Sequence, residues 1–177
     1  LTGMEISNAS LLDESTAAAE AMTLLFSTRS RNQKKENINS FFVSADTFHQ
    51  TLALLETRAK PLGIKLEIAQ SSKFDPEKNY FGAFFQYPGL SGNINDIEPI
   101  IQICKEHEIK VAVAADILSL ALLKSPGEMG ADVVVGSTQR FGIPLGYGGP
   151  HAAYFATKEE FKMSLIHISE PTRHLRI

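Results

Sequence analysis

The sequence predicts an α/β domain with a mostly parallel β-sheet and helices on both of its faces. Helical and strand patterns alternate along the 177 residues. Two segments of the second half, "KVAVAAD" and "ADVVVGS", are apolar at almost every position. Continuous apolar runs of this kind are typical of parallel strands that are covered on both faces. The composition, 44% hydrophobic and 21% charged residues, is that of an ordinary globular domain.

The first half carries two predicted helices and two predicted strands. A first helix is expected from Ser10, a favourable N-cap residue, with Asp13 as capping-box partner three residues later. Its inner face is predicted to contain Leu11, Ser15, Ala18, Met22 and Leu25. A polar loop to Asn39 leads to a buried strand, "SFFVS". Asp46 is expected to cap a second helix that ends at Gly63 and is followed by the strand "IKLEIA". The inner face of that helix is predicted to contain Phe48, Leu52, Leu55 and Ala59.

The second half continues the alternation. The segment "YFGAFFQYP" is a further apolar strand, and the helix after it has the apolar stripe Ile97, Ile100, Ile101 and Cys104. The two continuous apolar runs then form parallel strands. The segment "HAAYFAT" is predicted as one more strand, for which an antiparallel direction relative to the parallel strands is one option.

Charge and cysteine content restrict the possible partners. A net charge of -3 provides no basic field for nucleic acid or for an anionic membrane. No apolar run approaches the roughly 20 residues that cross a bilayer. The single cysteine, Cys104, cannot form an internal disulfide and is predicted to be buried, which favours a reducing compartment.

Candidate functional residues follow the predicted parallel strands, because ligands bind beyond the carboxyl ends of strands in open α/β sheets. Asp116 directly follows "VAVAA", and it either faces a ligand or caps the next segment, "ILSLALLK", which is predicted to be helical. The next strand ends in Ser137, Thr138 and Gln139, which are able to hold a phosphate, with Arg140 adding charge. The alternative is a polar turn with Arg140 paired at the surface.

Other features carry less chemistry. The segment Ser7–Ser10 at the start of the first helix is a possible anion site. We interpret His49, His107 and His151 as structural or solvated residues, since no pair has metal-ligand spacing with a carboxylate. Neither a Gly-x-Gly-x-x-Gly turn nor a Gly-x-Ser-x-Gly elbow is present, which argues against a nicotinamide-binding protein and a simple hydrolase.

A family resemblance extends over residues 1–162. It rests on "NASLLDESTAAAEAM", "AADILSLALLKSPGEMGADVVVGSTQRFG" and "PLGYGGPHAAYFATKEEFK". These segments closely resemble the N-terminal half of the glycine cleavage system P-protein family. The resemblance implies an incomplete large domain of the pyridoxal-phosphate-dependent aspartate aminotransferase-like fold. It also implies a pyridoxal-phosphate enzyme that decarboxylates glycine and passes the aminomethyl group to the lipoyl arm of the H-protein.

The resemblance also implies a cofactor pocket without its lysine. In that fold an aspartate at a strand end pairs with the pyridine nitrogen of the cofactor, and Asp116 occupies the matching place. A lysine after the next strand forms the Schiff base, but Gln139 stands there, and an amide cannot form an imine. Asp116, Ser137 and Gln139 are therefore expected to form a vestigial pocket. The chain is expected to contain no catalytic residue, and Lys124, the nearest lysine, is not expected to replace the missing one.

The partners implied by the resemblance follow from the missing lysine. We expect three partners, namely a lysine-bearing half or subunit, the H-protein and glycine, in a dimeric assembly. The run Gly146–Pro150 is expected to approach the lysine-bearing partner closely. The expected location is the mitochondrial matrix in a eukaryote and the cytoplasm in a bacterium. The chain alone is expected to be inactive. Two other hypotheses are a non-catalytic scaffold and a stand-alone pyridoxal-phosphate enzyme that uses another lysine.

The two ends of the chain do not follow this pattern. Residues 163–177, "MSLIHISEPTRHLRI", have no clear periodicity, and "HISEPTR" resembles the translation of a common sequencing adapter. We predict that residues 1–162 are the domain and that this tail is an artefact. Leu1 in place of methionine predicts that the natural start is missing.

Overall fold

The computed structural model describes residues 1–8, 10–144 and 146–162. Within them lies a mixed β-sheet whose strands are β1 (Ile6–Ser7), β2 (Ser40–Ser44), β3 (Lys65–Ala69), β4 (Tyr80–Tyr87), β5 (Lys110–Ala115), β6 (Val133–Ser137) and β7 (Ala153–Thr157). The helices are α1 (Glu14–Ser27), α2 (Arg31–Lys35), α3 (His49–Leu62), α4 (Glu98–Glu106) and α5 (Pro126–Met129). The prediction that residues 163–177 are an artefact lies outside the described residues.

The strand order across the sheet is β1-β7-β6-β5-β4-β2-β3. Strands β2 to β6 run parallel to one another, so their carboxyl ends meet at one edge. Strand β7 runs antiparallel to β6, and β1 runs antiparallel to β7. The predicted mostly parallel sheet is confirmed. The last strand is antiparallel, which is the direction that the sequence analysis offered for it.

Helices cover both faces of the sheet, as predicted. Helices α1 and α3 pack on one face and α4 and α5 on the other, because successive strand residues point to opposite sides. Phe84 of β4 contributes to the first core and Phe85 to the second, and both are almost completely buried. Cys104 is fully buried in the second core, and burial raises the pKa of its thiol to about 12. The prediction of a buried cysteine is confirmed.

The first helix begins later than the sequence indicates. Asp13 is the N-cap, and its carboxylate accepts a hydrogen bond of 2.6 Å from the backbone N–H of Thr16. The prediction of Ser10 as N-cap was wrong, because Leu11 is extended and exchanges two backbone hydrogen bonds with Ala153. Leu11 therefore does not belong to the helical face, whereas Ala18, Met22 and Leu25 are buried there as predicted.

The second helix also has a different N-terminus. Asp46 does not cap α3; its carboxylate accepts hydrogen bonds from the backbone N–H and the hydroxyl of Ser91, in the loop after β4. Leu55 and Ala59 are buried on the inner face as predicted, and Gly63 ends the helix in the left-handed conformation with φ of 66°. Phe48 and Leu52 of the predicted face are only partly buried, and the buried Thr51 was not foreseen.

Two segments have a secondary structure that differs from the predicted one. The predicted polar loop before Asn39 contains the short helix α2, which is stabilised by a capping box between Ser30 and Gln33. The predicted helical segment after Asp116 contains only a 3₁₀ turn at Ser119–Ala121. No helix among the described residues is long and apolar enough to cross a membrane.

Candidate functional site

A cleft of about 880 Å³ opens at the carboxyl ends of strands β4, β5 and β6. Its floor is formed where the parallel strands stop, and its walls are formed by the start of α1 and by the loop between β6 and β7. This is the edge at which open α/β sheets bind ligands. The lining residues are Asp13, Glu14, Ser15, Phe48, Gln50, Gln86, Pro88, Gly89, Asp116, Ser137, Gln139, Arg140, Ile143, Pro144, Gly148 and His151.

Glu14, the first residue of α1, joins two strand ends at the floor of the cleft. Its Oε1 accepts a hydrogen bond of 3.2 Å from Nε2 of Gln86, at the end of β4. Its Oε2 accepts another of 3.2 Å from the backbone N–H of Ser137, at the end of β6. Burial raises the pKa of Glu14 despite these two hydrogen bonds, and the charges of Asp116 and Asp13 raise it further. The cleft therefore holds a carboxylate whose ionised form is disfavoured.

The raised pKa of Glu14 makes a part of the folding stability dependent on pH. The folded state binds the Glu14 proton more tightly than the unfolded state, so this contribution is complete below the ordinary value of 4.5. It is lost as the pH rises from that value through the higher pKa of the folded state. We expect Glu14→Gln to remove this loss, as measured by urea denaturation from about pH 4 to pH 8.

Glu56→Gln serves as the control, because Glu56 is an exposed carboxylate on α3. This variant is expected to retain the pH dependence of the parent protein. Parallel stability curves for the Glu14 variant and the parent protein would contradict the assignment.

Asp116 has two roles in the structure. Its Oδ1 accepts a hydrogen bond of 3.0 Å from the backbone N–H of Leu118, which caps the turn after β5. Its Oδ2 accepts from Nε and Nη2 of Arg140, at 3.2 and 3.0 Å. The capping interpretation of Asp116 and the pairing of Arg140 are therefore both observed. The sequence offered the cap and the Arg140 pair as alternatives to ligand binding at two separate positions, and the carboxylate of Asp116 takes part in both.

Gln139 connects the end of β6 to the glycine-rich loop. Its backbone N–H donates to Oγ of Ser137, and its Oε1 accepts from the same hydroxyl. Its Nε2 lies 3.0 Å from the carbonyl oxygen of Gly148, 3.2 Å from that of Pro150 and 3.0 Å from Nδ1 of His151. The side chain at the predicted lysine position thus holds the loop in place, and His151 joins the site as one of its contacts.

The segment between β6 and β7 exposes two large apolar side chains. Gly148 and Gly149 have φ of 103° and 60°, left-handed conformations that glycine adopts without strain. Tyr147 between Gly146 and Gly148 also has a positive φ and is fully exposed, and Phe141 before the loop is 66% exposed. Both side chains remain uncovered among the described residues.

The remaining predicted residues do not reach the cleft. Lys124 pairs with Glu98 at 2.6 Å, and His107 lies 3.9 Å from a carboxylate oxygen of Glu77. His49 is exposed at the start of α3. Within Ser7–Ser10, the side chain of Asn8 accepts a hydrogen bond from the backbone of β7, and residue 9 lies outside the described residues.

Glu14 and Gln86 were missed by sequence reasoning. A glutamate at a helix start is ordinary, because the helix dipole favours it there, and Gln86 looks like one polar position in an apolar strand. The excess of carboxylates near "LLDES" is the one signal that could have drawn attention to Glu14. No group of three histidine, cysteine or carboxylate side chains suited to a metal occurs in the described parts of the chain.

Comparisons with known sequences identify the family. The family model described as glycine cleavage system P-protein matches residues 1–167. The chain is 63% identical over 165 residues to proteins named glycine dehydrogenase (decarboxylating) from Flavobacterium johnsoniae and Christiangramia forsetii, covering 93% of this chain and 17% of each relative. The protein of the same name from Nostoc punctiforme is 57% identical over 162 residues, covering 92% of this chain and 16% of that relative. The chain spans about one sixth of the length of these relatives.

Solved structures agree with these matches. A glycine decarboxylase (P-protein) of the glycine cleavage system, in inhibitor-bound form, superposes with a TM-score of 0.80 at 30% identity, over 93% of this chain and 37% of that one. Cystathionine gamma-lyase from Lactobacillus plantarum, at 15% identity, a TM-score of 0.69 and coverage of 94% and 42%, shares the fold alone. The fold is that of the large domain of pyridoxal-phosphate-dependent enzymes of the aspartate aminotransferase-like type. The chain belongs to the glycine cleavage system P-protein family.

Proposed function

We propose that this chain is part of a glycine dehydrogenase (decarboxylating). The complete enzyme decarboxylates glycine with pyridoxal phosphate and passes the aminomethyl group to the lipoyl group of the H-protein. The observation that carries the proposal is the 63% identity, over 93% of this chain, to relatives of that name. The chain corresponds to 17% of such a relative, and in this proposal the rest of the protein supplies the reactive lysine.

The cleft does not fit pyridoxal phosphate. The cofactor brings an aldehyde, which needs a lysine, and a phosphate, which needs unoccupied donors. No lysine lines the cleft among the described residues, the N–H of Ser137 is bonded to Glu14, and Arg140 is bonded to Asp116. A phosphate would also meet the repulsion of the carboxylates of Asp116 and Glu14. We therefore assign no step of the reaction to this cleft.

Asp116, Ser137 and Gln139 are, in this proposal, a vestigial cofactor pocket. Their positions at the ends of β5 and β6 support it, as do hydrogen bonds that use their polar atoms within the chain. The pocket no longer binds the cofactor in this proposal. Its residues hold the strand ends and the glycine-rich loop, and thereby shape the surface that faces the rest of the enzyme.

The proposed partners follow from the missing lysine. A lysine-bearing half or subunit covers the cleft edge, in a dimeric assembly that binds glycine and the H-protein. Phe141 and Tyr147, both in the segment between β6 and β7, are 66% and fully exposed and support a covering partner, because large uncovered apolar side chains mark interaction sites. We place the enzyme in the cytoplasm of a bacterial source or in the mitochondrial matrix of a eukaryotic one.

Borohydride reduction tests where the cofactor is held. We expect the complete enzyme, reduced in the presence of pyridoxal phosphate and mapped by peptide mass spectrometry, to carry its label on one lysine outside residues 1–162. Lys124 serves as the internal control and is expected to stay unlabelled. A unique label within residues 1–162 would favour the stand-alone enzyme and contradict the proposal.

Asp116→Asn tests whether the pocket is vestigial. We expect glycine decarboxylation by the complete enzyme to keep its kcat/KM within about threefold, since a residue that does not contact the cofactor contributes little to the barrier. Asp96→Asn, at an exposed position outside the cleft lining, is the control. A loss of about 100-fold or more, with unchanged stability, would show that Asp116 contacts the reacting groups.

A further inference from the structure

Gln86 has a buried amide oxygen without a hydrogen-bond partner. The residue is 6% exposed and lines the cleft, and its Nε2 donates a hydrogen bond to Glu14. Its Oε1 receives no hydrogen bond from any described residue. A buried acceptor that lacks a donor costs free energy, so this oxygen points to a hydrogen-bond donor that enters from the cleft.

The charges around Gln86 specify what kind of donor fits. Asp13, Glu14 and Asp116 place three carboxylates in the lining, whereas Arg140 is the one lysine or arginine among its described members. Arg140 is already bonded to Asp116. An anion is therefore disfavoured here, and a cation that also carries N–H groups is favoured, because it satisfies the amide oxygen and offsets the buried carboxylate of Glu14.

We propose that this cleft binds a primary ammonium group of a small amine or amino acid. In the bound state the ammonium donates hydrogen bonds to Oε1 of Gln86 and to the carboxylate of Glu14. This site goes beyond the proposed function, because it lies on the part of the enzyme that lacks the reactive lysine. It reuses the vestigial pocket for a ligand of the opposite charge to a phosphate.

The number of N–H donors distinguishes a primary ammonium from other cations. A primary ammonium has three donors and no acceptor, which matches a site that is rich in acceptors. Tetramethylammonium has the same charge but no N–H group, so it cannot satisfy Gln86. The pair of cations therefore separates hydrogen-bonded recognition from simple charge attraction.

Equilibrium dialysis with radiolabelled methylammonium tests the proposal. The complete enzyme is first treated with borohydride, which removes the aldehyde chemistry of bound pyridoxal phosphate. We expect one saturable site that is weakened at least tenfold by Glu14→Gln and several-fold by Gln86→Met, and unchanged by the exposed control Glu56→Gln. We expect excess tetramethylammonium not to compete. Tighter binding of glycine than of methylammonium would assign the site to amino acids, and equal binding would assign it to amines.

Three results would overturn the proposal. The first is the absence of saturable binding, which would leave the amide oxygen to water or to a donor from the rest of the enzyme. The second is binding that both cleft variants retain. The third is competition by tetramethylammonium that equals that of methylammonium, and this result decides the question in the parent enzyme even where a variant fails to fold. None of these results changes the lysine label or the decarboxylation, so failure here is distinct from failure of the proposed function.

Discussion

Replacing Gly136 by alanine is expected to destabilise the chain by about 3 kcal/mol. Gly136 lies in β6 next to β5, where a Cβ would clash with the backbone carbonyl oxygen of Ala115 and lie 2.6 Å from a ring carbon of Tyr154. The carbonyl cannot rotate away, and the hydroxyl of Tyr154 is bonded to that same oxygen at 2.7 Å. Urea denaturation of the parent protein and the variant measures the difference.

The sign of this effect separates packing from backbone propensity. Alanine in a strand interior normally stabilises relative to glycine by about 0.5–1 kcal/mol, so the expected loss has to come from the close approach of β5 and β6. Gly146→Ala is the control, because Gly146 is exposed and a Cβ there meets nothing within 4 Å. A Gly136 variant as stable as the Gly146 variant would show that the two strands separate easily.

Replacing Phe84 by alanine is expected to cost about 3–5 kcal/mol of unfolding free energy. Phe84 lies in the central strand β4, is fully buried and packs in the core beneath α1 and α3. The loss combines the transfer of an aromatic ring to water with the cavity that the rigid sheet and helices cannot close. The same denaturation measurement, with the slope checked for a change in the unfolded state, tests it.

Phe141→Ala is the matched control for this change. Phe141 is 66% exposed, so its removal is expected to change stability by less than about 0.5 kcal/mol. Comparable losses of unfolding free energy for the two variants would mean that the exposed Phe141 contributes as much to stability as the buried Phe84.

The strands could be predicted because burial on both faces produces a run of apolar residues within the strand itself. In β5 and β6, almost every side chain has to be apolar, whichever face it meets. The left-handed helix end at Gly63 and the burial of Cys104 could be predicted for a similar reason, since each depends on its own residue type and nearest neighbours.

Helix starts and the cleft were less predictable because their partners are distant. Ser10 and Asp46 are good capping residues by type, but β7 holds the segment that follows Ser10, and the loop after β4 takes the carboxylate of Asp46. The alternatives for Asp116 remained open for the same reason, since its partner Arg140 lies on the next strand's loop.

The sequence by itself determined the fold class, the family resemblance and the glutamine at the expected lysine position, because each of these is expressed in contiguous residues. The tertiary structure alone brought Glu14 to Gln86 and Ser137, which lie 72 and 123 positions away along the chain. Those contacts depend on how α1 sits on the sheet and on the strand order, and local pattern does not encode either of them. The charge and the unpaired oxygen of the cleft are therefore properties of the folded chain.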